Sequence, residues 1–213
     1  AFIYLNTNVW NEYRTNKDQE VWLANYEKTL LRYETTPQPQ ITAVTLNADL
    51  YPHAPRLRTR GSYEIVNASA APIAQVHLRA DPDLKIVSMT VPGARLTKDF
   101  ETFNYRIYTF DTPMQPGETR TITFETLLEQ RGFKNNGNTT RLVDNGTFIS
   151  NNEIAPLIGM DRSALLQDPA KRRKYGLERQ LRIPRLGAPG ADRFNYLRND
   201  SGFVRADITV TTD

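Results

Sequence analysis

The residues that could bind a metal or transfer protons are few and widely separated in this sequence. The chain has two histidines, and it has no His-Glu-x-x-His segment that would place two imidazoles on one turn of a helix. His53 lies in a Pro-rich turn, and His77 alternates with Gln75 and Arg79 in a polar pattern. We therefore interpret both histidines as surface residues, and we expect no metal site and no catalytic residue in this chain.

Other catalytic signatures are also missing from the sequence. The absence of cysteine removes disulfides, thiolate metal sites and cysteine nucleophiles together. There is no Gly-x-Ser-x-Gly elbow, no Walker loop and no dinucleotide-binding fingerprint. Asp81 and Asp83 form a close pair of acids, but they flank Pro82, where a turn explains them without catalysis. The sequence therefore predicts that this chain is not an enzyme by itself.

One basic run, Lys171 to Lys174, invites comparison with a phosphate-binding patch. It belongs to a short predicted helix, whose C-terminal end favours cations, and no aromatic residue interrupts it. The formal net charge of the whole chain is only +3, from 27 basic and 24 acidic residues. We interpret the run as a solvated helix end, and we predict no nucleic-acid partner.

The elements that would position any site are mainly strands. Residues 41–52 alternate apolar and polar side chains, which is typical of a half-buried strand. Further strands are predicted over residues 57–67, 73–80, 84–91, 103–110, 119–128 and 203–212. Gln115-Pro116-Gly117-Glu118 has the composition of a type II turn between paired strands. The pattern predicts a mainly β fold, a sandwich or barrel of mostly antiparallel strands.

Helical spacing appears at both ends of this β pattern. Trp22, Tyr26, Leu30 and Tyr33 recur at steps of three and four, which predicts a helix over roughly residues 18–34. This helix either packs on the β domain or lies close to a membrane, since aromatic residues are favoured at bilayer interfaces. Short helices are predicted in the C-terminal third, after potential N-caps. We predict a helical linker over residues 1–40 and a β domain over residues 41–213.

A family resemblance is carried by four stretches of the β region. Residues 41–212 resemble the N-terminal domain of the membrane alanyl aminopeptidase family of zinc metallopeptidases (gluzincins). The matching stretches are residues 44–50, 60–67, 71–78 and 114–124, the last with its Pro-Gly-Glu turn. In that family this domain is a saddle of β-sheets that covers one side of a thermolysin-like catalytic domain. The resemblance implies zinc in a catalytic domain absent here, and no cofactor in this chain.

The resemblance also suggests one substrate-binding residue. The segment Ser150-Asn151-Asn152-Glu153 lies where the N-terminal domain of these enzymes lends an acidic or amide residue to the cleft. That residue holds the free amine of the substrate, and Glu153 is its counterpart by resemblance. A carboxylate would favour the ammonium form of the amine by Coulomb attraction. The alternative is a loop glutamate with no such role.

The head of the chain resembles a different context. Residues 1–40 are similar to the segment that, in bacterial fused proteins, connects an ABC-type permease to a peptidase-like region. The apolar start Ala1-Phe2-Ile3-Tyr4-Leu5 suggests that a hydrophobic stretch precedes it. The sequence itself has no run of eighteen apolar residues that could span a bilayer. The resemblance implies a longer parent protein in the bacterial inner membrane, with either side of that membrane left open for this region.

Three functions remain open from the sequence. The first is a non-catalytic domain that packs on a metallopeptidase-like domain of the same parent chain, shapes its cleft and meets its peptide substrate there. The second is a peptide- or protein-binding extracytoplasmic module of an ABC-type transporter. The third is a structural spacer. An exposed apolar patch on a β face would favour the first, because a domain separated from its partner leaves such a patch.

Overall fold

Nine strands and four α-helical segments form the described part of the chain. The computed structural model describes residues 1–135, 142–180, 185, 187–189 and 202–213. The fold is mainly β, with two mostly antiparallel sheets, an N-terminal helix and a few short helices, so the predicted fold class is confirmed. The strands are β1 (Gln40–Tyr51), β2 (Arg56–Val66), β3 (Ile73–Arg79), β4 (Lys85–Thr90), β5 (Ala94–Phe100), β6 (Tyr105–Met114), β7 (Thr119–Glu129), β8 (Leu157–Ile158) and β9 (Arg205–Thr212).

The strands divide into a five-stranded and a four-stranded sheet. Sheet 1 has the order β4-β7-β2-β1-β9, and sheet 2 has the order β5-β6-β3-β8. All pairs are antiparallel except β1 and β9, which run parallel at one edge of sheet 1. Strand β9, the last in the sequence, therefore pairs directly with β1, the first.

The main core lies between the inner faces of the two sheets. Leu46 and Ala48 of β1 are buried, as the alternation predicts, and Tyr63 and Ile65 of β2 face the same way. Gly61 of β2 lies between Leu46 and Phe124, and a Cβ there would come within 2.6 Å of both side chains. Glycine is needed at this position because the two large side chains fill the space that a Cβ would take.

The turn between β6 and β7 has the predicted type, but it does not join paired strands, because β6 lies in sheet 2 and β7 in sheet 1. The amide of Glu118 donates to the carbonyl of Gln115 at 2.9 Å, and Gly117 has a φ of 78°. A positive φ at the third turn position is what a type II turn requires, and glycine adopts it without a steric penalty. This turn takes the chain from sheet 2 to sheet 1.

Helix α2 (Asn16–Leu30) covers the outer face of sheet 2. It begins with a capping box, because Thr15 accepts from the amide of Asp18 and Asp18 accepts from the amide of Thr15. Its Tyr26 and Leu30 are buried in a second core cluster, in which Tyr105 of β6 is also fully buried. The predicted aromatic helix therefore packs on the β domain. The division of the chain at residue 40 stays a prediction.

Two short helical segments follow in the C-terminal third, as predicted. Asp161 caps the 3-10 helix Arg162–Ala164, and Asp168 caps α4 (Pro169–Lys174) by accepting from the amides of residues 170 and 171. Before them, α3 (Asn151–Ile154) is a single turn. At the other end of the chain, α1 (Phe2–Tyr4) continues without a break into the π-helical residues Leu5–Trp10, and we call the two together the N-terminal helix.

Candidate functional site

Glu153, the one predicted substrate-binding residue, lies in α3 and caps that helix. Its Oε2 accepts from the amide of Ser150 at 2.8 Å and from the hydroxyl of Ser150 at 2.9 Å. The side chain of Ser150 in turn accepts from the backbone of Glu153, and the two interactions together form a capping box. The carboxylate thus has a local structural role that the sequence pattern Ser-x-x-Glu before an apolar run could have shown.

The turn that carries Glu153 is anchored to sheet 1. Thr126 of β7 donates its hydroxyl to the carbonyl of Ile154, and the hydroxyl of Tyr63 in β2 donates to the carbonyl of Pro156 at 2.8 Å. Ile154 and Ala155 are buried in the main core. A half-buried carboxylate is therefore held at a fixed place against a rigid sheet, which is the arrangement that precise recognition of a ligand group needs.

A second candidate feature is the stripe of apolar side chains on β9. The register pairs Ala206 with Val44, Ile208 with Leu46 and Val210 with Ala48, so these residues continue the inner face of sheet 1. Leu46 and Ala48 are buried under sheet 2, but Ile208 is 44 % and Val210 is 62 % exposed. We call residues 206, 208 and 210 the β9 stripe. The β9 stripe continues the apolar inner face of sheet 1 beyond the area that sheet 2 covers.

The opposite face of β9 is polar. Thr209 and Asp207 lie on it with Thr211, whose hydroxyl donates to Asp49 of β1 at 2.7 Å. Asp49 also accepts from Arg60 of β2 at 3.0 Å. This outer face of sheet 1 is a solvated surface crossed by ion pairs, and it contrasts with the apolar stripe on the other side of the same strand.

The two histidines do not lie together, and one of the two predictions about them is wrong. His53 is an exposed turn residue, 3.6 Å from Asp144. His77 is fully buried, because Tyr33 and the α2 side of the molecule cover the face of β3 that the polar alternation assigned to solvent. Its Nδ1 lies 2.7 Å from the hydroxyl of Tyr105. Burial, with a smaller contribution from the charge of Lys98, lowers the pKa of His77 to about 4.

No metal centre appears in the part of the chain that the structure describes. Among residues 1–135, 142–180 and 202–213, no group of three or more histidine, aspartate or glutamate side chains lies close enough to hold an ion. Catalytic zinc sites in proteins take three such ligands and leave one position open for water. The absence of a catalytic residue and of a cofactor in this chain stays a prediction.

The basic run on α4 is only partly solvated, which corrects its interpretation as a solvated helix end. Arg172 is buried, and its guanidinium forms a two-pronged ion pair with Glu27 of α2, with N–O distances of 2.7 and 2.6 Å. Lys171 and Lys174 both contact Glu20 of α2. The basic residues hold α4 against α2, because acidic residues on α2 face them. These acids cannot be identified from the sequence, because they lie about 150 residues away along the chain.

One open depression lies near the end of sheet 1, and sequence analysis did not anticipate it. It has a volume of about 560 Å³ and is lined by Pro92, Gly93, Asp111, Thr112, Arg120 and Thr121. The guanidinium of Arg120 stacks 4.4 Å from the ring centroid of Phe110 and donates to Glu118 at 2.7 Å. Its charge is therefore already engaged within the protein.

Comparison with solved structures gives weak likenesses to one class of enzyme. The chain is similar to an M1 zinc metallopeptidase from Deinococcus radiodurans and to a mutant of that enzyme bound to a Tyr-Ser-Ala substrate. Each match has 14 % identity and a TM-score of 0.35, and it covers 44 % of this chain and 21 % of the peptidase chain. No protein-family model and no curated protein matches the sequence.

Among the residues that the structure describes, none of the helices combines the length and the apolar character that crossing a bilayer requires.

Proposed function

We propose that this chain is a non-catalytic β domain of a longer, membrane-associated zinc aminopeptidase-like protein. In that protein it packs on the metallopeptidase-like domain and shapes the entrance to its cleft. The zinc belongs to the other domain, and the peptide substrate meets both. The proposal starts from the strand and turn pattern of residues 41–212, and it places the parent protein in a bacterial inner membrane.

The observation that carries the proposal is the β9 stripe. A sheet face made of Ala206, Ile208 and Val210 continues a core face, yet it is exposed in this chain. Burial of apolar surface stabilises a protein by about 25 cal/mol for each Å² removed from water, so such a face is normally covered. An exposed apolar continuation of a core face is what a domain shows when the partner that covers it is absent.

Glu153 has a defined place in this proposal. Its carboxylate is fixed by Ser150 at the start of α3, and α3 is bonded to sheet 1 through Ile154 and Pro156. A carboxylate held in this way attracts the ammonium group of a peptide N-terminus when the catalytic domain brings the peptide within a few ångströms. The structure of this chain alone gives Glu153 a capping role, and the substrate role requires the second domain.

The test compares this chain with the longer protein by hydrogen exchange and by activity. We expect the amides of β9 and the neighbouring β1 to exchange more slowly in the longer protein, because docking covers the stripe. Aminopeptidase activity with added zinc is expected in the longer protein and not in this chain. Equal exchange of β9 in both proteins, or activity of this chain alone, would refute the proposal.

A matched pair of substitutions separates docking from general damage. Ile208→Glu places a charge in the stripe, whereas Thr209→Glu places the same charge on the polar face of the same strand. We expect Ile208→Glu to remove the extra protection of β9 and to lower activity, and Thr209→Glu to change neither. Glu153→Ala is expected to raise the KM for peptides with a free N-terminus. Glu153→Gln keeps the capping acceptor and tests the charge alone.

The second candidate, a peptide-binding module of a transporter, is favoured by another property of β9. It is the last strand of sheet 1, and no further strand pairs with its outer edge among the residues that the structure describes. Such an edge can accept an extended peptide as an additional strand, with backbone hydrogen bonds supplying affinity. Peptide titration followed by the amide signals of β9 distinguishes this function, because it requires binding by the isolated chain.

A further inference from the structure

The N-terminal helix has its polar and apolar faces reversed. In a helix on the surface of a water-soluble domain, the apolar residues face the protein and the polar residues face the solvent. Here Asn6 and Thr7 are the buried residues, with 2 % and 4 % exposure. Phe2, Ile3 and Val9 are between 59 % and 70 % exposed. The helix therefore presents most of its apolar side chains outward, whereas its two buried residues, Asn6 and Thr7, are polar.

Polar contacts with residues 131–135 hold the helix in this orientation. The side-chain amide of Asn11 donates to the carbonyls of Arg131 and Phe133, at 2.8 and 3.4 Å. Asn135 exchanges two hydrogen bonds with the backbone of Arg14, at 3.0 and 2.6 Å. These bonds lie just after the helix and involve groups that water would otherwise satisfy. The segment that follows the N-terminal helix is thus bonded to residues 131–135.

The exposed residues change in character along the helix. The first turn, Phe2 to Leu5, has four consecutive apolar side chains, so it is apolar on all sides. Trp10 and the exposed Tyr13 follow, and the guanidinium of Arg131 lies 4.5 Å from the ring centroid of Trp10. In a membrane, apolar side chains lie among the acyl chains, and Trp, Tyr and Arg lie at the level of the headgroups. The order of residues along this helix matches that order of depth.

We propose that the N-terminal helix inserts into the interface of a lipid bilayer. Phe2, Ile3 and the rest of the first turn enter the acyl region, and Trp10 and Tyr13 lie at the level of the headgroups. This deepens the membrane part of the proposed function by naming the surface that touches lipid. It does not depend on docking through the β9 stripe, so that failure of either proposal leaves the other testable.

The charges around the helix fit this partner. The region contains three cations, Arg14, Arg131 and Lys134, and two acids. Glu12 pairs with Arg14, Asp83 pairs with Lys134, and Arg131 lies over the ring of Trp10. The excess of one cation predicts only a modest preference for anionic lipids, about fivefold in affinity. The apolar turn supplies most of the binding. A protein interface has an apolar centre surrounded by a polar rim, whereas here the apolar turn lies at one end of the helix and Trp10, Tyr13 and the cations follow at the other.

The chain contains a natural reporter of insertion. It has two tryptophans, and Trp22 is held in α2, where its Nε1 donates to the carbonyl of Thr102 at 3.0 Å. In a Trp22→Phe background, Trp10 is the only indole. With phosphatidylcholine vesicles, with and without phosphatidylglycerol, we expect a blue shift of the Trp10 emission and quenching by brominated acyl chains. Vesicle flotation measures the partition coefficient of the same protein.

A substitution and its control decide the result. Ile3→Glu is expected to lower the partition coefficient at least tenfold, because a large apolar side chain is replaced by a charge. Leu96→Glu is the control, since Leu96 is an exposed apolar residue on β5, away from the N-terminal helix in the sequence. It should leave partitioning unchanged, and both variants should keep the melting temperature of the parent. Equal partitioning of Ile3→Glu and Leu96→Glu would overturn the proposal. So would an absence of vesicle binding, including one accompanied by self-association through the helix.

Discussion

The buried ion pair between Glu27 and Arg172 joins two helices that are 145 residues apart in the sequence. The two side chains are 3 % and 5 % exposed. Besides its two bonds to Glu27, the guanidinium donates to the carbonyl of Leu166 at 2.6 Å and to that of Glu178 at 2.8 Å. All three nitrogens of the guanidinium donate to acceptors, so that this one residue links α4, the segment before it and the segment after it to α2.

We expect Glu27→Ala to be strongly destabilising. It leaves a buried guanidinium without its counter-charge, and removal of one partner of a buried pair costs about 3–5 kcal/mol. For a domain of this length, each kcal/mol lowers the melting temperature by about 2–4 °C, so the expected fall is roughly 6–20 °C. The double variant Glu27→Leu with Arg172→Leu should recover part of this loss, because it leaves no unpaired charge. The recovery is incomplete, since the carbonyls of Leu166 and Glu178 lose their donor.

The measurement is thermal unfolding followed by two probes. Far-ultraviolet circular dichroism reports the whole fold, and the fluorescence of Trp22 in a Trp10→Phe background reports α2. Glu20→Ala is the matched control on the same helix, because Glu20 pairs with Lys171 and Lys174 at the surface, where such pairs contribute little. If Glu27→Ala and Glu20→Ala unfold alike by both probes, the reasoning about the buried pair is wrong.

Three further predictions test other parts of the structure. His77 has a lowered pKa, so the unfolded chain binds one more proton between pH 6.5 and about 4. The stability of the wild type should therefore fall by up to about 3 kcal/mol across that window as the pH falls, and that of His77→Asn should fall less, as measured by urea unfolding. Gly61→Ala should cost about 1–3 kcal/mol by overpacking against its neighbours, whereas Gly202→Ala, which has open space around it, should not change the unfolding midpoint. Thr15→Ala should cost about 1 kcal/mol by removing the cap of α2, and an unchanged denaturation midpoint would contradict this.

Most strands could be predicted because their apolar residues repeat with period two. That period depends only on which face of a strand is buried, and β1, β2 and β7 each have one face on the core and one in water. The caps of the C-terminal helical segments could be predicted for a similar reason. A side chain such as Asp161 or Asp168 bonds to amides two or three residues away, so the relevant information is local in sequence.

Features that depend on distant contacts could not be predicted. The polar alternation places His77 at the surface, but Tyr33, which follows α2, packs against its ring and that face of β3 is buried. Strand β5 was missed because all of its central residues are exposed and give no apolar period. The partner of β9 was also hidden, since apolar alternation shows that a strand has an apolar face but not which strand lies beside it.

The pairing of β9 determines how the candidate site should be understood. Sheet 2 is covered by sheet 1 on one face and by α2 on the other, so its apolar residues already have partners. Sheet 1 is polar on its outer face, where Asp49 accepts from Arg60 and Thr211. The inner face of sheet 1 at β9 is therefore the surface on which a docking domain would bury further apolar area. Glu153 is bonded to the same sheet through Thr126 and the neighbours of its helix. A domain that docks on the β9 stripe would thus be held by the same sheet that positions the carboxylate.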